Sequence, residues 1–282
     1  MATRSVFVSK KYYPYFEEIM VDFDWFPGFA LSQKRKSQIS LHHNFLHVYP
    51  NKRILEVSSA SLYSLGSELS AMHLHKRTAL GLTTVESAFQ SSRIYCSGNK
   101  EIGPFHEYLF LSGKECKKKV KELSQGMISK RYLFDNLEFH APIYNISLFY
   151  NYLYLNALCE SENRDIANRL MSSGYTAFTD LATRSLNSQA RSAAIFVSLF
   201  NNGLIDEVKE YESYLQLFRT KKDGTPINDS AFENTQLLDT KGQVTLLSPV
   251  VPCVFSKKDT EKYYKDNCSG LCNKHISDNY LD

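Results

Sequence analysis

Residues 83–95, TTVESAFQSSRIY, predict a helix with one polar and one apolar face. Glu86, Gln90 and Arg93 recur at positions i, i+4 and i+7, so their side chains would share one stripe of this helix. The apolar residues between them would face a core and anchor the element. A carboxylate, an amide and a guanidinium on an anchored helix form a candidate catalytic or binding cluster.

The same segment allows a purely structural interpretation of Glu86. Thr83 and Glu86 have the spacing of a capping box, in which Thr83 caps the helix and Glu86 returns a hydrogen bond to its backbone. Such a cap contributes about 1 kcal/mol to stability. The residues by themselves leave both interpretations open.

Length and composition indicate one compact domain followed by a tail. The chain has 282 residues, of which 43% are hydrophobic and 22% charged, as in a globular protein with a sizeable core. Its net charge of +3 is too small for sequence-blind nucleic-acid binding by the whole surface, so any such contact must be local. The 18 Tyr and 18 Phe residues suit either stacking surfaces or an aromatic core.

The sequence also predicts a cytoplasmic protein without a metal or cofactor. No stretch approaches the ~20 apolar residues of a membrane span, and residues 1–8 lack the apolar region of a signal peptide. The six cysteines form no C-x-x-C pair, which favours reduced thiols. Cys268, Cys272 and His275 come closest to a metal cluster, but their spacing does not match a zinc site.

Hydrophobic patterning predicts a small β region at the N-terminus and helices through most of the remaining chain. Strands are predicted at 6–8, 19–23 and 54–58, a short basic helix at 32–44, and further helices at 114–123, 148–160, 166–171, 190–200 and 205–218. The helix at 190–200 begins with small residues, which indicates a central, buried element. We divide the chain into a β-containing extension at 1–60, a core at 61–218 and a polar extension at 219–282. In that last segment, residues 244–251 could form one strand broken at Pro249.

Five ordered blocks of the sequence resemble the NADAR (YbiA-like) family, and most closely its branch of antitoxins associated with DarT toxins. These blocks are residues 69–71, 84–90, 112–118, 177–180 and 187–193. The opening segment 27–34 also has a counterpart in that branch, so the likeness covers roughly residues 1–218. The resemblance implies an α+β fold with a predominantly helical NADAR/YbiA-like core and the small N-terminal β region. It also implies an enzyme that removes ADP-ribose from guanine bases in DNA, where a DarT toxin attaches it.

Position by position, the resemblance assigns roles to the polar residues of these blocks. Glu86 and Gln90 match the Glu and Gln of the family's Ser-Glu-His-Tyr-Phe-Gln type block, and Asp180 matches its Asp after an aromatic residue. Lys117 or Lys118 falls where family members have a lysine or arginine. Two positions depart from the family pattern, because Ser87 replaces a His and Phe178 replaces a Trp, and the antitoxin branch shares both changes.

The chemistry of the residues permits this reaction as well. Breaking a bond between ribose and a base nitrogen develops positive charge at the anomeric carbon and negative charge on the base, so a fixed carboxylate and a proton donor are needed. Glu86 and Asp180 could supply both. Alternatively, a lysine amine could attack the ring-opened sugar and form a Schiff base. The complete set of candidates comprises catalytic Glu86, Asp180, Lys117 and Lys118, substrate-binding Ser70, Gln90, Arg93, Phe178, Gln189 and Arg191, and DNA-binding Lys34, Arg35 and Lys36.

Structural and functional alternatives remain at this stage. Asp180 could instead be a turn or helix cap, and Arg191 could be paired inside a helix bundle. Two other functions fit the same residues. One is a YbiA-like N-glycosidase that acts on a small riboflavin-pathway intermediate, and the other is a non-catalytic module that binds ADP-ribose or a toxin.

Overall fold

Two of the three β-sheets formed by the described residues enclose a pair of buried helices in the computed structural model of this protein, and the third sheet is a two-stranded hairpin. The structure describes residues 1–140, 143–181 and 188–218, without the side chains of 140–146, together with the backbone of two strands at 235–238 and 244–247. The strands are β1 Ala2–Ser9, β2 Phe16–Phe23, β3 Ile54–Glu56, β4 His75–Thr78, β5 Gly81–Thr84, β6 Arg93–Ser97, β7 Lys100–Ile102, β8 Ile128–Phe134, β9 Leu137–His140, β10 Ala177–Thr179, β11 Thr235–Leu238 and β12 Val244–Leu247. The α-helices are α1 Leu31–Val48, α2 Ser64–Glu68, α3 Val85–Ser91, α4 Gly113–Leu123, α5 Ile143–Cys159, α6 Arg164–Ser172, α7 Gln189–Asn201 and α8 Tyr211–Leu217.

The first sheet has the strand order β2-β1-β10-β3 and is covered on both faces. Side chains alternate across β1, so Val6 and Val8 pack with Leu41 and Phe45 of α1 on one face. Phe7 points to the opposite face and joins the main core. The predicted basic helix at 32–44 is confirmed as the central part of α1, because the i, i+4 pair Leu41 and Phe45 gives it an apolar stripe.

A second sheet, with the order β12-β11-β9-β8-β6-β7, overturns part of the predicted fold class. The described residues are 45% helical and 23% strand, so the expectation of a predominantly helical core with only a small N-terminal β region is wrong, although the fold is α+β overall. The predicted helix across residues 83–95 ends early. The Ser91 carbonyl accepts from the Phe105 amide at 2.7 Å and the Ser92 carbonyl accepts from the Leu133 amide at 2.7 Å. Both carbonyls are therefore taken by distant chain segments, and Arg93 opens β6 instead of extending the helix.

Helices α5 and α7 fill the space between the two sheets. Residues 189–199 of α7 are all buried, which confirms the predicted central helix, and α7 packs on β1, β2 and β10. Helix α5 packs between α7 and β9, where the Phe149 and Phe139 rings stack with centroids 4.3 Å apart. Among the described residues, no helix combines the length and apolar composition needed to cross a membrane.

The topology joins distant parts of the chain in one sheet. Strand β10 pairs antiparallel with β1 and parallel with β3, with Phe178 opposite Phe7 and Leu55. Residues of the predicted extension at 1–60 and of the predicted core at 61–218 thus share a sheet, while the proposed division into domains stays a prediction. In the region beyond 218, the strand predicted within 244–251 corresponds to β12, and Pro249 lies outside the described residues.

Candidate active site

Glu86 stands at the start of α3, but it does not form the predicted capping box. The N-cap is Thr84, whose hydroxyl accepts from the Ser87 amide at 3.2 Å. Thr83 instead donates its hydroxyl proton to the Leu109 carbonyl. The Glu86 carboxylate is consequently available to side chains, and it accepts from Gln90 Nε2 at 2.9 Å. The predicted i, i+4 pairing of these two residues is confirmed, whereas the capping role is wrong.

Close packing of α4 against α3 brings one lysine to Glu86. A Cβ atom added to Gly113 would lie 2.9 Å from Glu86 Cβ, so only glycine permits this approach. Lys117 follows Gly113 by one helical turn and lies on the same face. Its ammonium nitrogen is 3.3 Å from Glu86 Oε1, and its side chain is 59% exposed against 9% for Glu86. Lys118 points away and pairs with Glu122 at 3.8 Å.

A buried loop supports Glu86 from the other side. The Glu86 amide donates to the Ala71 carbonyl at 2.9 Å, and the Ala71 amide donates to Gln189 Oε1 at 2.8 Å. Ser70 is buried in the same loop, where its hydroxyl accepts from the Met72 amide at 3.3 Å. The predicted residues Ser70 and Gln189 therefore lie near Glu86, and the side chain of each accepts a hydrogen bond from a backbone amide of this loop.

Asp180 and Glu86 are both buried, and both charges act on Tyr150, a residue of α5 that the sequence did not single out. Asp180 directly follows β10 and is 8% exposed, like Glu86 at 7%. Burial raises the pKa of the Tyr150 phenol well above its ordinary value, and the negative charges of Glu86 and Asp180 raise it further. Tyr150 therefore remains a neutral phenol at pH 7. Nothing in the aromatic run at 148–160 distinguishes this tyrosine from the core residues beside it.

The two predicted arginines are held by aromatic rings. The Arg93 guanidinium carbon is 5.2 Å from the Phe89 ring centroid, and Nη1 donates to the Tyr95 hydroxyl at 2.7 Å. Arg191 is buried in α7, with its guanidinium 5.3 Å from the Phe7 ring. Such cation–π contacts help to keep a guanidinium in place. Arg93 lies on β6, so its predicted place on the helical stripe of Glu86 is wrong.

Two further side chains near the site have limited chemical roles. Burial raises the pKa of the Cys116 thiol to about 12, and Glu86 raises it further while Arg93 lowers it. This thiol is protonated at neutral pH and is unsuited to act as a nucleophile. The predicted substrate contact Phe178 has no exposed surface, and its ring belongs to the apolar core.

The predicted DNA contacts lie together on the first turns of α1. Lys34 and Lys36 are exposed and Arg35 is partly exposed, with its Nη2 donating to the Ser61 carbonyl at 3.4 Å. The Lys36 ammonium lies 6.0 Å from the Phe26 ring. His42 lies further along α1 and faces inward, and burial lowers its pKa to about 4. His42 is therefore neutral at pH 7 and adds no charge to this basic surface.

The described residues contain no group of three or more His, Cys, Asp or Glu side chains that could hold a metal ion. Cys268, Cys272 and His275 lie outside the described residues.

Comparison with known families gives one match that spans most of the chain. The family described as DarT1-associated NADAR antitoxin matches residues 2–227, which include every site residue discussed above. No curated protein matches the chain significantly.

Proposed function

The chain belongs to the family of DarT1-associated NADAR antitoxins, and we propose that it is an N-glycosidic hydrolase that removes ADP-ribose from guanine bases in DNA. One observation carries the proposal beyond family membership: Glu86 and Asp180 are both buried carboxylates, and Glu86 is paired with Lys117 at the edge of the site. Two buried carboxylates, one of them paired with a partly exposed amine, suit the cleavage of a bond between a sugar and a base nitrogen.

Lys117 is the better candidate of the two lysines for covalent chemistry. Its amine must lose a proton before it can attack carbon, and the Glu86 carboxylate at 3.3 Å is positioned to accept that proton. The sugar ring opens when its C1–O bond breaks, the ring oxygen gains a proton and the guanine nitrogen loses one, which leaves a C1=N bond. The amine then adds to C1 and passes a proton to the guanine nitrogen, and the bond from C1 to that nitrogen breaks as the base takes up a second proton. Water finally hydrolyses the resulting Schiff base and releases ADP-ribose and the free lysine. Glu86, which now carries the lysine proton, is our candidate for the group that protonates the leaving base, and Asp180 is our candidate for the carboxylate that stabilises positive charge at the anomeric carbon.

The remaining candidates would bind the substrate around this centre. Gln90 orients Glu86 through its amide, and Arg93 and Arg191 are cations in aromatic surroundings that suit the pyrophosphate of ADP-ribose. Ser70 and Gln189 would act by holding the loop at Ala71.

We assign the DNA contact to the exposed start of α1. Lys34, Arg35 and Lys36 would bind phosphates and position the strand without reading bases. Two exposed aromatic residues flank this basic turn: Phe29, which is 97% exposed and precedes α1, and Tyr63, near the Ser61 carbonyl that Arg35 binds. Exposed rings beside cations are typical of surfaces on which unpaired bases stack.

The test is a comparison of three substrates with the purified protein. We expect release of ADP-ribose from an ADP-ribosylated oligonucleotide, slower release from free ADP-ribosylated guanosine and no turnover of a riboflavin precursor. Turnover of the riboflavin precursor alone would replace our proposal with the YbiA-like alternative. Tight binding of the oligonucleotide without release of ADP-ribose would instead make the protein a non-catalytic binder.

A further inference from the structure

A second buried glutamate, Glu56, lies at the end of β3 and contacts both neighbours of Asp180. Its Oε2 lies 2.6 Å from Thr179 Oγ1, and its Oε1 accepts from the Leu181 amide at 3.0 Å and from the Ser58 hydroxyl at 2.8 Å. The residue is 2% exposed. Each of these partners is neutral, and within the described residues no ion pair joins a cation to the Glu56 carboxylate.

The backbone around Glu56 leaves it little freedom. Strand β3 runs parallel to β10 with Glu56 in register with Thr179, so its side chain lies beside the point where the chain leaves β10. On the other side, a Cβ atom added to Gly66 would lie 2.1 Å from the Glu56 carbonyl oxygen, because α2 packs directly on this strand end. Any displacement of the Glu56 carboxyl would therefore be transmitted to Thr179 and Leu181.

We propose that Glu56 is a positioning residue that holds Asp180 through Thr179 and Leu181, and that it does so as a neutral carboxylic acid whose proton is shared along a chain to His42. The role of Asp180 in this inference rests on the proposed function. The hydrogen-bonded chain itself follows from the geometry alone.

The hydrogen-bonded chain from Glu56 to His42 can accommodate the proton of the neutral state. His42 Nε2 lies 2.8 Å from Thr179 Oγ1, and its neutral ring can accept a hydrogen bond there. With an ionised Glu56, Thr179 donates to Oε2. In the proposed neutral state, Glu56 Oε2 donates to the Thr179 hydroxyl, which donates to His42 Nε2. The Oε1 atom still accepts from Ser58 and Leu181, so every polar group in the chain has a partner.

An ionised Glu56 would be far less favourable at this place. Burial raises the pKa of Glu56, in opposition to the hydrogen bonds from Thr179, Ser58 and Leu181. A buried charge without a cation costs several kcal/mol. It would also repel the Asp180 carboxylate one residue beyond Thr179. The neutral acid therefore fixes the position of Asp180 without adding a competing negative charge.

The functional test compares Glu56→Gln with Glu56→Ala. Glutamine reproduces the neutral acid, because its carbonyl oxygen can accept from Ser58 and Leu181 while its amide donates to Thr179. We expect Glu56→Gln to keep kcat within about threefold and Glu56→Ala to lower kcat about 100-fold with little change in KM, because displacement of a catalytic group by about 1 Å has effects of this size. Glu138→Ala is the matched control, since it removes another buried carboxylate from the second sheet.

Two readouts decide the inference even without activity. At pH 7, the infrared difference spectrum between wild type and Glu56→Gln should contain the carbonyl band of a protonated carboxylic acid, and exchange of the Leu181 amide should be about tenfold faster in Glu56→Ala only. An ionised carboxylate band would overturn the neutral state. Unchanged Leu181 exchange, or a normal kcat in folded Glu56→Ala, would overturn the positioning role.

If Glu56→Ala does not fold, Thr179→Val tests the same link by removing one hydrogen bond. Inactive wild type with the expected spectrum and exchange would refute the proposed hydrolase and leave the link intact.

Discussion

Glu86 and Glu56 are both almost fully buried, yet their surroundings differ in kind. Glu86 pairs with the exposed ammonium of Lys117 and accepts from the Gln90 amide. Glu56 lies behind β10, where three neutral groups bind it and burial raises its pKa. The comparison shows that burial alone does not assign a role to a carboxylate. A cation at the edge of the site suits charge stabilisation and proton transfer, whereas neutral donors suit a structural support.

The largest expected effect is on the Glu86 side of this comparison. We predict that Glu86→Gln lowers kcat about a thousandfold, because the amide keeps the contact with Gln90 but removes the charge that faces Lys117 and the substrate. The melting temperature should stay close to wild type, since Thr84 caps the helix. Thr84→Ala is the control, with a stability loss of about 1 kcal/mol and normal turnover. Near-native rates in Glu86→Gln would remove Glu86 from the catalytic assignment.

The next prediction separates two lysines that are adjacent in sequence. Lys117→Ala should lower turnover at least about 100-fold, because it removes both the candidate nucleophile and the cation beside Glu86. Lys118→Ala should behave as wild type, since Lys118 faces Glu122. Borohydride added during turnover should leave a covalent adduct on the peptide that contains Lys117, visible by mass spectrometry. An adduct on Lys118, or an active Lys117→Ala variant, would contradict the assignment.

The Glu56 side can be examined through the pH dependence of stability. The pKa of His42 falls from 6.5 to about 4 on folding, so the unfolded chain binds more protons between these values. The contribution of His42 is complete above pH 6.5 and is lost as the pH falls towards 4, by about 3 kcal/mol at most. Glu56 acts in the opposite direction, because its raised pKa gives stability at low pH that is lost as the pH rises through the folded value.

Urea unfolding of His42→Gln should therefore reveal the two contributions separately. In wild type, His42 lowers the free energy of unfolding as the pH falls from 6.5 to 4, and the variant should lack this decrease. The variant should keep the contribution of Glu56, which changes with pH in the opposite direction. Parallel curves for variant and wild type over this range would show that His42 titrates normally in the folded protein.

The smallest effect is expected on the outer face of α1, opposite to His42. Replacing Lys34, Arg35 and Lys36 by Ala should raise the KM for ADP-ribosylated DNA about tenfold and flatten its salt dependence, because three phosphate contacts are lost. Hydrolysis of free ADP-ribosylated guanosine should stay nearly unchanged. Equal losses with both substrates would indicate that the segment lines the nucleotide pocket, and no loss with either would make it a solvated surface.

Elements with a regular local pattern were predictable from the sequence. Helices α1, α4 and α7 were found because their apolar or small residues recur at helical spacing, and the contact between Glu86 and Gln90 follows from four-residue spacing in one helix. These features depend on neighbours within one or two turns. The resemblance of the five blocks, moreover, identified the family that matches residues 2–227.

Only the tertiary structure decided which residues meet at the site. The hydrogen bond between Thr179 and Glu56 joins residues 123 positions apart, and the choice of Lys117 over Lys118 depends on how closely Gly113 approaches Glu86. The early end of α3 likewise depends on amides from Phe105 and Leu133. Local periodicity carries no signal for such contacts, because they form when separate segments are packed together. The sequence therefore determined the helices and the chemical groups available, and packing determined their partners and protonation.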